Sequence, residues 1–321
     1  MNSSKKPISL WLEHLLENYG LWVSFVLLFL ILSIASPYFL TLDNIFNVLR
    51  QISVTAILAF GMTFVITTAQ IDLSIGAVVA LTGVTAAALL KRPDLSSGIW
   101  ILAVLIEGFL IGLIHGFFVA KQRMPAFLLT LATTGIIRGI GFIYTQGRPI
   151  YIGSESFRAI GRGFIGPIPV PVVIMIILWG ICYFIFTQTR IGRYVSAVGE
   201  SREVARLSGI NVDRIIIFVF VLHGLLGAIG GVVMASRLGA GSPQVGVGEE
   251  LDVISAVVLG GTNLFGGEGN LSGTLLGAMF IGTLMNGMTL LNVSPYTQMV
   301  VRGLVILGAV WLNMRKYRLE R

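Results

Sequence analysis

The chain has 321 residues, of which 55% are hydrophobic and only 12% are charged, and its mean hydropathy is +0.89. Soluble domains carry about twice that charged fraction, so a water-soluble core of this size would lack the polar residues to cover its surface. The 39 glycines, without period-two alternation, favour close-packed helices over a β-barrel. We therefore expect an all-α, polytopic membrane protein with a single transmembrane domain over residues 1–321.

The net charge of +7 predicts membrane topology rather than nucleic-acid binding, because the basic residues lie at the ends of apolar stretches. The single cysteine, Cys182, lies within an apolar stretch, so we expect neither a disulfide framework nor a metal cluster. The N-terminal segment is polar up to Tyr19, has no short apolar core with a small-residue cleavage site, and is followed by an apolar stretch that begins at Leu21. We interpret it as a retained helix rather than a signal peptide.

About ten apolar stretches are candidate membrane spans. They cover residues 21–36, 45–68, 73–90, 98–120, 126–145, 170–187, 215–235, 252–265, 271–291 and 296–313.

The distribution of lysine and arginine predicts the orientation. With the N-terminus inside, 13 of the 22 lysines and arginines lie inside, Lys5 and Lys6 among them, while six lie outside and three lie within spans. This bias predicts that both termini face the cytoplasm. It places the segment 189–214 on the same side and the longest outer segment, 146–169, across the outer mouth.

The segment 189–214 is charged and lies between two apolar stretches, so it cannot lie in hydrocarbon. Ser201 is placed to accept the free N–H groups of a first helical turn, and Gly209 to take the left-handed conformation that ends a last turn. An apolar ridge with charged flanks lies between them: Val204, Ala205 and Leu207, with Arg202, Glu203 and Arg206. We interpret the segment as a docking surface for a soluble partner, with a solvated connector as the alternative.

Two junctions, at residues 67–74 and 260–270, join apolar stretches with almost no loop. Short, interrupted segments of this kind often mark broken helices near the substrate path of a transporter. Tight turns at the inner face are the alternative, and because both junctions run in the same direction they do not by themselves support an inverted repeat. The candidate pathway residues are Gln70, Asp72, Ser74, Asn263 and Asn270.

Some polar residues lie at membrane depth. Glu107 and Arg138 belong to adjacent antiparallel stretches, and isolated ions there are unfavourable by a few kcal/mol. We predict a structural ion pair between them, with a substrate-binding or proton-relay role as the alternative. For His115 and His223 we expect core packing or helix–helix hydrogen bonds, and for Arg302, near an outer end, a side chain that reaches toward the membrane surface.

Motifs for nucleotide, metal or dinucleotide chemistry are absent from the sequence. It has no Gly-x-x-x-x-Gly-Lys-Ser/Thr and no Gly-Lys pair, so nucleotide-driven work must be done by another subunit. Neither a His-Glu-x-x-His nor a Gly-rich turn between a strand and a helix occurs. We therefore expect a transporter subunit rather than an enzyme, with no cofactor bound by this chain.

Three sets of residues together carry a resemblance to one known family. The first, in 53–83, contains Ala56-Ile57-Leu58-Ala59-Phe60-Gly61-Met62-Thr63 and Ile71-Asp72-Leu73-Ser74-Ile75-Gly76. The second is Arg190-Ile191-Gly192-Arg193-Tyr194, Ala197-Val198-Gly199 and Ala205-Arg206-Leu207-Ser208-Gly209-Ile210. The third is Ala256-Val257-Val258-Leu259-Gly260-Gly261-Thr262 and Gly273-Thr274-Leu275-Leu276-Gly277. They occur in order over about 36–311 and together resemble bacterial ribose-type ABC transporter permeases, the monosaccharide and autoinducer-2 permease family. Their combined spacing is specific although each motif alone is weak.

The resemblance implies a type II importer-like permease in the inner membrane of a bacterium, with broken helices. It implies several partners: an ABC ATPase subunit with two nucleotide-binding domains, which carries ATP and Mg, a periplasmic sugar-binding protein, and a second permease copy or close paralogue. Membrane lipid surrounds such a chain, and no nucleic acid is expected. The mechanism it implies is alternating access through a pathway that we expect to be lined by small, weakly polar residues.

The resemblance also implies that 189–214 carries the coupling helix. The residues carried over to this role are Gly192, Arg193, Gly199, Glu200, Ser201, Ala205, Arg206, Ser208 and Gly209. The implied substrate is a monosaccharide such as ribose. Autoinducer-2, nucleosides and branched-chain amino acids remain open within the superfamily. An ion-coupled secondary transporter would have to use Asp72, Glu107 and Arg138.

Overall fold

The structure is a computed structural model that describes residues 7–92 and 98–319. Lys5 and Lys6, on which the orientation prediction partly rests, lie outside the described residues. Within the described ranges the chain forms 13 α-helices and four two-residue strands. In chain order they are α1 (Pro7–Ala35), α2 (Leu42–Thr67), α3 (Ile75–Leu90), α4 (Ile99–Ala120), α5 (Ala126–Thr145), β1 (Ile150–Tyr151), α6 (Glu155–Arg162), β2 (Phe164–Ile165), β3 (Ile168–Pro169), α7 (Val170–Gln188), α8 (Arg190–Glu200), α9 (Arg202–Leu207), α10 (Val212–Leu238), β4 (Ala240–Gly241), α11 (Glu249–Leu259), α12 (Leu271–Leu290) and α13 (Pro295–Leu319).

Each of the ten predicted stretches coincides with a helix, and the predicted all-α membrane architecture is confirmed. Six helices in the described ranges are long and apolar enough to cross a membrane: α2, α4, α5, α7, α10 and α12. The stretches Gly20–Ala35 and Ile75–Leu90 are shorter apolar helices. Helix α11 has 11 residues, and at 1.5 Å per residue it is about 16 Å long, which is too short to cross a hydrocarbon core of about 30 Å. The count of ten spans stays a prediction.

Helices α2 and α10 form the centre of the molecule. Every residue of α2 from Ile52 to Thr67 is buried.

Helix α4 packs closely on α10 because its glycines recur every four residues. A Cβ at Gly108, Gly112 or Gly116 would overlap the backbone of α10. This is the small-residue packing by which membrane helices approach one another, and it accounts for part of the glycine content.

The segment 146–169 is folded rather than irregular, and it is fixed to the C-terminal end of α10. Strand β1 pairs antiparallel with β4, which places Ile150 opposite Gly241. The Ser236 hydroxyl donates to the carbonyl of Phe157 and accepts the N–H of Gly161. Because α10 has 27 residues and is about 40 Å long, this segment lies at the opposite end of α10 from α9.

Candidate functional site

The segment that joins α7 to α10 contains two helices, α8 and α9, which we call the α8–α9 segment. Thr189 and Ser201 cap them, since their hydroxyls accept the N–H groups of Ile191 and Val204. At the other end of α9, Gly209 has a φ of +81°, in the left-handed region that favours glycine. The short capped helix predicted between Ser201 and Gly209 is confirmed. Sequence reasoning missed α8.

The apolar ridge predicted on α9 is only partly correct. Val204 and Leu207 lie three residues apart on one face and are 61% and 82% exposed. Ala205 points the other way, is 2% exposed and packs into the core. Val195 and Val198 of α8 are also buried there. Buried side chains therefore anchor the α8–α9 segment, while Val204 and Leu207 face outward.

The polar residues of the α8–α9 segment are mostly at the surface. Those of the predicted coupling set that are exposed are Arg193, Glu200, Arg206 and Ser208. Gly192 is buried. A Cβ at this position would overlap the backbone of Phe186, so only glycine fits there. Arg202 is half-buried; burial lowers the pKa of its guanidinium, and the carboxylate of Asp213 opposes that shift. The outward surface of the segment is thus apolar at its tip with charges around it.

The C-terminal end of α8 contacts both junctions through the backbone. A Cβ at Gly199 would overlap the carbonyl oxygen of Thr67, the last residue of α2, and would meet the backbone nitrogen of Gly267. That nitrogen donates a hydrogen bond to the same Thr67 oxygen at 3.0 Å. Gly267 has a φ of +84°, which an L side chain would adopt only with strain. The α8–α9 segment, the end of α2 and the junction after α11 therefore meet at one point.

Two predicted pathway residues of the first junction, Asp72 and Ser74, are buried structural groups. Asp72 is 3% exposed, and its Oδ1 accepts the backbone N–H and the hydroxyl of Ser74 at 2.7 and 2.6 Å. Its Oδ2 lies 3.6 Å from Nδ1 of His115. The other ring nitrogen of His115 lies 2.8 Å from the Thr133 hydroxyl, so the predicted helix–helix hydrogen bond of His115 is confirmed. His223 is also buried, yet neither ring nitrogen has a hydrogen-bond partner among the described residues.

The remaining pathway candidates are carboxamides that hold local backbone. Gln70 is half-buried, and its amide donates to the carbonyl of Ala69. Asn263 accepts the N–H of Phe265. Asn270 is exposed and caps α12 by accepting an N–H at 2.8 Å. A role for these side chains in a substrate pathway stays a prediction.

The structure contradicts the predicted ion pair between Glu107 and Arg138. Arg138 instead donates from Nη1 to the carbonyls of Pro243 and Val245, at 2.8 and 3.0 Å. The carboxylate of Glu107 faces Thr85 of α3, and its Oε2 has no hydrogen-bond partner among the described residues. Adjacency in sequence misled the prediction, because α4 packs mainly on α10 and α3 while α5 turns Arg138 toward the segment that follows α10.

A charged cavity of about 180 Å³ lies between α2, α10, α11, α12 and α13, at the end of the molecule opposite the α8–α9 segment. Its polar lining comprises Gln51, Thr55, Arg237, Glu249, Asp252 and Arg302. Arg302 Nε lies 2.7 Å from Asp252 Oδ1, and the Thr55 hydroxyl donates to Glu249 at 2.7 Å. We expected the Arg302 side chain to reach toward the membrane surface. It instead points inward and forms an ion pair with Asp252. Sequence reasoning missed this cavity.

The fold and these contacts define a class, a polytopic helical membrane protein in which two junctions between helices contact the α8–α9 segment. Residues 44–310 match the family described as "Branched-chain amino acid transport system / permease component". The chain belongs to this permease family.

Similar proteins cover almost the whole chain. It is 47% identical to the ribose import permease protein of Haemophilus influenzae, over 90% of each chain. It is 41% identical to the ribose import permease protein of Bacillus subtilis, over 95% of each chain. The L-arabinose transport system permease protein of Escherichia coli is 39% identical over 95% of this chain and 93% of its own. No solved structure matches the chain.

Proposed function

We propose that this chain is the permease subunit of a bacterial ABC importer and that it carries a neutral monosaccharide such as ribose. Similarity of 39–47% to proteins named for ribose and L-arabinose supports the sugar class. The observation that carries the importer mechanism is the meeting of Gly199, Thr67 and Gly267, which binds the α8–α9 segment to both junctions.

The proposal includes partners and an orientation. An ATPase subunit with two nucleotide-binding domains holds ATP and Mg and docks on the exposed face of Val204 and Leu207, so this chain needs no cofactor of its own. A periplasmic sugar-binding protein delivers the solute at the opposite end. A second permease copy completes the pathway within the lipid of the inner membrane, and both termini face the cytoplasm.

In the proposed mechanism, closure of the ATPase displaces the α8–α9 segment as a rigid body. Backbone contacts at Gly199 leave no side chain to absorb that displacement, so it reaches the end of α2 and the junction after α11 together. Helices α2 and α11 extend from these two points toward the opposite end of the molecule. Alternating access then follows from a change in their packing rather than from local side-chain motion.

Reconstitution tests this function. Proteoliposomes that contain this chain, its ATPase and its binding protein should accumulate radiolabelled D-ribose only when ATP is supplied to the ATPase side. Vesicles that lack the ATPase are the control. Sugar uptake by the chain alone, driven by an ion gradient, would overturn the proposal in favour of a secondary transporter.

A second candidate substrate is a branched-chain amino acid, which the description of the matching family favours. The same vesicles distinguish the two. ATP-dependent uptake of L-leucine without uptake of ribose or L-arabinose would transfer the proposal to amino acids.

A further inference from the structure

We propose that the charged cavity is a transient binding site for a neutral, polyhydroxylated solute on its way through the permease. The inference rests on the proposed function and deepens it, because it assigns a place where the solute pauses inside the chain. It also differs from the lining of small, weakly polar residues that the sequence led us to expect.

The charge balance of the cavity favours a neutral solute. Two arginines, Arg237 and Arg302, and two acidic residues, Glu249 and Asp252, line the cavity, so their formal charges sum to zero. Arg302 lies against Asp252, and Glu249 accepts a hydrogen bond from Thr55. An anion or a cation would meet one group of like charge for each group of opposite charge. A neutral solute that both donates and accepts can bond to each of these groups through its hydroxyls without disturbing the balance.

Polar atoms of the lining still lack hydrogen-bond partners. Asp252 is 6% exposed, and although its Oδ1 is in ion-pair contact with Arg302 Nε, neither atom has a hydrogen bond within the part of the chain that the structure describes. The Nε–H is not aimed at the oxygen. The half-buried Gln51 amide likewise makes no hydrogen bond there. Buried polar atoms in native proteins are nearly always satisfied, so the geometry at Asp252 and Arg302 favours an occupant with donors and acceptors.

The size and shape of the cavity fit one sugar ring. A volume of about 180 Å³ holds about six waters at roughly 30 Å³ each, a hydration cluster that one monosaccharide and its hydroxyls would replace. Met234, Ile281 and Met285 form an apolar wall, against which the C–H face of a sugar ring can lie while its hydroxyls point at the charged groups.

Two helices connect this cavity to the α8–α9 segment. In α2, Thr55 lines the cavity and Thr67 contacts Gly199, 12 residues or about 18 Å further along. In α11, Glu249 lies at the cavity, and Gly267 follows the end of the helix. A solute held in the cavity therefore contacts α2, which the α8–α9 segment contacts at its other end, and α11, whose following junction the α8–α9 segment contacts at Gly267.

Cysteine protection tests the site directly. In a Cys182→Ala background, Gln51→Cys places a thiol in the cavity, and Met234→Cys is a second reporter on its apolar wall. Gln298→Cys, in α13 outside the cavity, is the matched control. Modification by a charged methanethiosulfonate is followed by mass spectrometry on the full chain in nanodiscs. D-ribose should slow modification of the cavity thiols by about twofold at half occupancy and leave Gln298→Cys unchanged.

The outcomes separate the site from the function. If ribose protects neither cavity thiol while the complete transporter still accumulates ribose, the binding site is overturned and the proposed function stands. Protection by L-leucine without protection by any monosaccharide overturns the polyhydroxylated class. Failure of the complete transporter to take up sugar counts against the function and is scored in vesicles, independently of the thiol measurement.

Discussion

Gly199 shows how a single missing side chain determines a contact between three parts of the chain. Its backbone lies against the Thr67 carbonyl and the Gly267 nitrogen, and no larger residue fits without moving one of them. Such a contact is stiff because it contains no rotatable side-chain bond. Asp72 is the corresponding rigid point of the first junction, where its carboxylate holds Ser74 and lies beside His115.

Replacing Gly199 with alanine should uncouple transport. Overpacking by one methyl is unfavourable by about 1–3 kcal/mol, so the α8–α9 segment should separate from α2 while the protein stays in the membrane. We expect ATP hydrolysis by the assembled complex to continue with little ribose uptake. The control is Gly180→Ala in α7, where a Cβ meets nothing within 4 Å. Wild-type uptake by Gly199→Ala would remove this contact from the mechanism.

The two membrane charges should respond in opposite directions. Arg138→Gln loses charged hydrogen bonds to two carbonyls, each worth about 1.5–3 kcal/mol, and should lower the Tm in detergent. Glu107→Gln removes a charge whose Oε2 has no partner among the described residues, and should leave the Tm unchanged or raise it. The double reversal of Glu107 and Arg138 should not rescue the single reversals; rescue would restore the ion pair that the structure contradicts.

At the scale of elements, the α8–α9 segment combines buried anchors with an exposed tip. The capping residues of α9 are readable from the sequence because Ser201 and Gly209 act locally. Helix α8 also had a readable signal: Ile191, Val195 and Val198 recur at helical spacing and pack in the core. The prediction missed α8 because charged residues such as Arg190, Arg193 and Glu200 lie between and beside these apolar positions and are equally typical of a loop.

Loss of the Ser201 cap should open α9 locally. Ser201→Ala leaves the N–H of Val204 without its acceptor and is unfavourable by about 0.5–2 kcal/mol. Hydrogen exchange should therefore be faster over residues 202–208 and unchanged in α10. Ser201→Asp, which keeps an accepting oxygen, is the control. Equal exchange in both variants would show that packing alone holds α9.

The exposed tip of α9 should carry affinity for the ATPase. Leu207 is 82% exposed, so Leu207→Asp should fold normally yet weaken co-purification of the ATPase subunit, because a charge would replace apolar contact area. Leu207→Met keeps that area and should bind as the wild type does. Undiminished binding by Leu207→Asp would place the docking surface elsewhere.

At the scale of the whole molecule, the two ends of the protein have different chemistry. One end carries the α8–α9 segment and both junctions; the other carries the charged cavity and the folded segment 146–169. The helices and their order were predictable because apolar length is a local property. The cavity was not, because Gln51, Asp252 and Arg302 come from distant parts of the chain and only tertiary packing brings them together.

The orientation can be measured with two reporter thiols in a Cys182→Ala background. Ser208→Cys should react with an impermeant maleimide only in inverted vesicles, because we expect the α8–α9 segment to face the cytoplasm. Tyr151→Cys, at a position that is 71% exposed in β1, should react only in right-side-out vesicles. The opposite pattern would reverse the topology and with it the side on which the ATPase docks.

The buried fraction of the apolar stretch distinguishes the central helix α2 from the peripheral helices α4, α5 and α7. The apolar stretch of α2 is 83% buried, whereas those of α4, α5 and α7 are only 28%, 28% and 22% buried. Hydrophobic mismatch acts on helices that touch acyl chains, so a thicker or thinner bilayer tilts the peripheral helices and leaves α2 shielded. The rate of transport should therefore depend only weakly on the length of the lipid acyl chains, because other helices shield the central helix α2 from the bilayer.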